Sequence, residues 1–93
     1  MQRIGGLIIM RKMTEAIQLR YKGGLNRLVK FEKINPDGSA HISLDGQRYD
    51  LFPNDSIGLD GDAIYLENIE GGRVALRLIM SDDVRILRSE LLR

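Results

Sequence analysis

The chain has 93 residues, 43% of them hydrophobic and 29% charged, with a net charge of +1 and no cysteine. A chain of this size forms one domain and buries only about 60–65% of its unfolded surface, so association with a second copy is a natural way to gain core. The composition is that of a soluble globular protein, and the missing thiols exclude disulfide frameworks, thiolate nucleophiles and zinc–thiolate sites.

The first element is the apolar run Leu7-Ile8-Ile9-Met10, far shorter than the roughly 20 residues that span a bilayer. Arg11-Lys12 follows it where a signal peptide would carry a small-residue cleavage site, so neither a membrane nor a secreted protein is expected and a cytoplasmic setting is compatible. Met13 to Leu19 reads two ways: Ile17 and Leu19 suit a strand, Thr14-Glu15-Ala16 a short helix. After Gly23-Gly24, Leu28 to Ile34 alternates like a strand. Asn35-Pro36-Asp37-Gly38 is a turn, and Ala40–Leu44 and Gln47–Leu51 flank Asp45-Gly46, the strongest hairpin signal in the chain. Pro53-Asn54-Asp55 and Asp60-Gly61 are further turns. Ala63 to Ile69 places Ile64, Leu66 and, after a break at Asn68, Ile69 on one face. Beyond the Gly71-Gly72 turn, Val74, Leu76 and Leu78 alternate with Ala75, Arg77 and Ile79, an antiparallel partner. Ser81-Asp82-Asp83 turns the chain into Val84-Arg85-Ile86-Leu87-Arg88, and Ser89 can cap a helical stub at the end. The expected fold is all-β, a small antiparallel sheet or barrel in a single domain spanning residues 1–93.

Charge is distributed unevenly. Residues 1–30 hold seven basic side chains and one acid, whereas residues 31–93 hold seven basic and twelve acidic ones. Such a chain presents a positive and a negative face unless folding interleaves them. Catalytic and metal chemistry is not expected. The single His41 lies inside a strand pattern, and neither a metal site nor a nucleophilic triad assembles around one histidine. Asp60-Gly61-Asp62 lacks the acids of a calcium loop, and Gly71-Gly72 lacks the Lys-Ser/Thr of a phosphate loop. No cofactor or metal is predicted.

Two strands stand out. Leu7 to Lys12 ends in adjacent cations, and in Val84 to Arg88 the period of two puts Val84, Ile86 and Arg88 on one face. Side by side they would make an aliphatic platform rimmed by Arg11, Lys12 and Arg88, suited to splayed bases and phosphates. Leu7 to Leu19 resembles the opening of the carbon storage regulator (CsrA/RsmA) family: an apolar strand, two basic residues, then Thr14-Glu15-Ala16-Ile17-Gln18-Leu19 where the family has Gly-Glu-x-apolar-x-apolar. Residues 63–92 resemble the rest of it: Ile64-x-Leu66, then Gly71-Gly72-Arg73-Val74 at the family's Gly-Asn-Gln-Val turn, Leu76-Arg77-Leu78, and Asp82-Asp83-Val84-x-Ile86-x-Arg88-x-Glu90-Leu91.

The resemblance implies an interleaved homodimer whose RNA sites each join the first strand of one protomer to the last strand of the other. It implies a translational regulator, not an enzyme, that recognises GGA-containing hairpin loops in messenger leaders of a bacterial cytoplasm. Ile9, Arg11, Lys12, Val84, Ile86, Arg88 and Leu91 occupy the RNA-binding positions. The implied partners are messenger RNA leaders, small regulatory RNAs, a second copy of the chain and a protein antagonist. The sequence departs from the family in carrying Thr14 and Arg77 where the family has glycine, and in an insert of about residues 20–60 holding the Asp45-Gly46 hairpin. The insert's Leu28, Phe31, Ile34, Leu51 and Phe52 can add core, and its cations Lys22, Arg27, Lys30 and Lys33 can extend an RNA surface. The alternatives are a dimer of this type turned to protein binding through the insert, and a generic small β-barrel interaction domain.

Overall fold

The computed structural model describes residues 6–88, which form nine strands and no helix. They are β1 (Leu7–Lys12), β2 (Ala16–Tyr21), β3 (Asn26–Ile34), β4 (Ala40–Leu44), β5 (Gln47–Leu51), β6 (Ser56–Leu59), β7 (Asp62–Glu70), β8 (Arg73–Ile79) and β9 (Val84–Arg88). All pairings are antiparallel. One sheet has the order β1-β8-β7-β6, the other β5-β4-β3-β2-β9. With no helix among the described residues, none is long and apolar enough to cross a membrane.

The period of two explains the layering, because it gives each sheet one apolar face. Ile9, Val74, Leu76, Leu78, Ile64, Leu66, Ile57 and Leu59 from the four-stranded sheet share one core with Ile17, Leu19, Val29, Phe31, Ala40, Ile42, Leu44 and Leu51 from the five-stranded sheet. The ambiguous stretch after β1 is therefore a strand: Ile17 and Leu19 are completely buried. Residues 20–60 belong to this core as well, since Val29, Phe31 and Ile42 are shielded from solvent, whereas Leu28 and Phe52 remain exposed.

Turns follow the punctuation of the sequence. Asp45 and Gly46 both take positive φ, 52° and 85°, as the two-residue hairpin between β4 and β5 requires. Asn68 marks a real break: the β7–β8 register shifts between Leu66 and Asn68, which returns Ile69 to the core side opposite Val74. The bulge also brings Glu67 to Arg77. The guanidinium grips that carboxylate at 2.7 and 3.0 Å, holding the Glu67 carboxyl below its ordinary range, so a charged residue stands in β8 without breaking the sheet. β6 is an addition to the predicted elements; four residues interrupted by Gly58 give too little pattern to read. The expected helical stub at Ser89 lies outside the described residues.

β1 passes into β2, and so from one sheet to the other, through Met13–Glu15. Thr14 there has φ 71°, at the position where the resemblance places glycine. A β-branched residue is strained in this left-handed region.

Candidate nucleic-acid interface

Alternation divides β1 into two sets. Ile9 and Arg11 point inward, opposite Leu76 and Val74, whereas Ile8, Met10 and Lys12 point outward, opposite Arg77, Ala75 and Arg73. Ile9 and Arg11 were expected on an open platform, and the structure corrects both. Ile9 is core. Arg11 is only 4% exposed: its Nε donates to the Met10 carbonyl at 2.6 Å, its Nη1 donates to the Ala16 carbonyl at 3.3 Å, and Glu15 lies 3.9 Å away. The guanidinium braces the corner between the sheets. The physical reason is the strand pairing: Ile9 and Arg11 lie opposite the buried Leu76 and Val74, and the period of two carries Arg11 to the core side along with Ile9.

Lys12 is on the surface, as expected. Directly across the β1–β8 pair stands Arg73, which the sequence reading did not single out, and the side chains of Lys12 and Arg73 have no hydrogen-bond or ion-pair partner among the described residues. They border a depression of about 270 Å³ with Met10, Arg11 and Glu15. Glu15 is already occupied, accepting the Lys12 N–H at 2.8 Å beside the Arg11 guanidinium, and Glu70, opposite Arg73 on β7, makes no ion pair with it. Like charges directly across a strand pair repel. An anion placed between them removes that repulsion, and phosphate offers acceptors to both.

On β9, Val84 and Ile86 are half-buried against the core and Arg88 is exposed, all three on the face of Tyr21, Leu19 and Ile17. Arg85 and Leu87 take the other face. Leu91 lies outside the described residues. Within the chain β1 and β9 do not meet, since β1 ends the four-stranded sheet and β9 the five-stranded one. Ile9, Arg11 and Lys12 therefore stand together on one strand, and Val84, Ile86 and Arg88 on another in the second sheet. Both strands have a hydrogen-bonding edge with no neighbour among the described residues. The outer side of β1 is also greasy: Ile8 and Met10 are 46% and 47% exposed. No family model, curated protein or solved structure matches the chain.

Proposed function

We propose that the chain is an RNA-binding translational regulator that recognises GGA-containing hairpin loops in messenger leaders as a homodimer, without catalysis. The observation that carries this reading is the unpaired Lys12–Arg73 couple beside the exposed Ile8 and Met10, at the open edge of β1. Cations supply the salt-dependent phosphate contacts, and the flanking aliphatic surface takes unstacked base faces. A second copy completes the site. Its β9 edge laid along the β1 edge continues the sheet, while covering apolar surface that an isolated edge strand leaves prone to aggregation. The left-handed Thr14 agrees with the glycine of the resembled family at this turn.

The test is a titration of the full chain with a GGA hairpin and a scrambled hairpin across salt concentrations. Discrimination that persists at physiological salt, with affinity falling as salt rises, is the expected result. Lys12→Gln/Arg73→Gln lowers affinity and flattens the salt dependence, and Arg88→Ala weakens binding by about 1–3 kcal/mol. Equal affinity for both hairpins would remove the reading, and elution as a monomer in size-exclusion chromatography would remove its dimer.

A further inference from the structure

The outward face of the five-stranded sheet carries a second cation pair. In the β2–β9 register Arg20 stands directly across from Arg85, and both are exposed. Arg20 is oriented by its neighbour on the strand, its Nε donating to Gln18 Oε1 at 2.8 Å; Arg85 has no partner among the described residues. One step along, on the same face, Gln18 lies between Leu87 of β9 and Leu28 of β3, the latter 43% exposed. Lys30 follows on β3. The acids nearest this face are engaged: Glu32 accepts from Ser43 Oγ at 2.9 Å and lies 3.7 Å from Lys30, and Asp45 accepts the Leu28 N–H at 2.8 Å.

The arrangement is a grid with one row of guanidinium groups and one row reading leucine, glutamine, leucine. Strands about 4.8 Å apart set the spacing across the rows. Two guanidinium groups held opposite each other without a counter-ion can both donate to one phosphate. The two leucines offer flat aliphatic surface to bases and the Gln18 amide can meet a base edge, while nothing in the row fixes base identity. We propose that this face binds a single-stranded RNA tract independently of its sequence, as a second contact beyond the hairpin site. The inference rests on the RNA-binding reading above and extends it to RNA flanking the hairpin.

The experiment measures binding by fluorescence anisotropy for three probes: the GGA hairpin alone, the same hairpin with an unpaired uridine tail, and the uridine tract alone. In the wild-type chain the tail raises affinity roughly tenfold at low salt, as two added charge-assisted contacts would. Arg20→Gln/Arg85→Gln abolishes that gain, leaves the bare hairpin unchanged and lowers the salt slope for the tailed probe by about 2. Its urea midpoint is equal to or above that of the wild type, because the substitution removes a repulsion, so lost binding is not lost folding. Lys12→Gln/Arg73→Gln weakens the hairpin and keeps the gain from the tail. A tail effect that survives in Arg20→Gln/Arg85→Gln overturns the inference and leaves the hairpin reading standing. A uridine tract bound through Arg20 and Arg85, with equal affinity for the GGA hairpin and a scrambled hairpin, does the reverse.

Discussion

The Thr14 N–H donates to the Phe31 carbonyl at 2.7 Å, and the Phe31 N–H donates to the Glu15 carbonyl at 3.1 Å. The strained turn after β1 is thus clamped onto a β3 residue whose side chain is completely buried. The clamp holds Thr14 at φ 71° despite its β-branch.

Thr14→Gly should therefore raise stability by about 0.5–1 kcal/mol. The left-handed conformation costs a branched residue roughly 1–2 kcal/mol, and the added freedom of glycine in the unfolded chain returns part of that. Urea unfolding checks it. A midpoint at or below that of the wild type would mean that the threonine side chain compensates for its own strain.

Adjacent cations on β1 should behave differently. Arg11→Met removes the donors held by the Met10 and Ala16 carbonyls and should cost about 1–3 kcal/mol of stability, the range for buried polar groups left unpaired. Lys12→Gln should leave the urea midpoint within about 0.5 kcal/mol and act on RNA affinity instead. Paired unfolding and hairpin titrations separate the two, and a stable Arg11→Met chain that has lost RNA affinity would return Arg11 to the binding surface.

Residues 20–60 are expected to be indispensable for folding. Phe31→Ala should cost about 3–5 kcal/mol, a large share of the 5–15 kcal/mol available to a domain. Replacing residues 22–58 with a short turn removes β3, β4, β5, most of β6 and one of the two neighbours of β2, so circular dichroism should report loss of the folded state. A folded, soluble deletion variant would show that the two ends of the chain build a core by themselves.

The β3–β4 turn carries an acid-sensitive cluster. Ser39 Oγ and N–H donate to Asp37 at 2.6 and 2.9 Å, and these bonds hold its carboxyl below the ordinary range. The Asn35 amide and the Arg48 guanidinium do the same for Asp50, at 2.7 and 3.0 Å. Groups whose pKa falls on folding contribute stability that is complete above the ordinary carboxylate range and is lost as the pH falls through the lowered folded values. Ser39→Ala should raise the Asp37 titration toward its ordinary value in carboxyl NMR spectra and move acid unfolding to higher pH. An Asp37 titration that does not move would assign the shift to something other than Ser39.

The hairpin at Asp45-Gly46, the turn at Gly71-Gly72 and the break at Asn68 were legible because each depends on a few neighbouring residues with a definite backbone demand. So was the alternation of Val74, Leu76 and Leu78. β6 was not, having two inward residues and an internal glycine. Of the candidate site, Lys12 and Arg88 could be read as surface cations, but the inward turn of Ile9 and Arg11 could not, since a period of two says which residues share a face and not which face meets the core.

The sequence by itself determined most of the strands, most of their turns, and the presence of cations on the first and last of them. Only the tertiary structure decided that β1 lies beside β8 and β9 beside β2. Those pairings join a cation from the basic early part of the chain to one from the acidic later part, Lys12 to Arg73 and Arg20 to Arg85. The physical reason is distance along the chain: local preferences fix a turn within four residues, whereas the choice of neighbouring strand depends on how much apolar surface the whole arrangement buries.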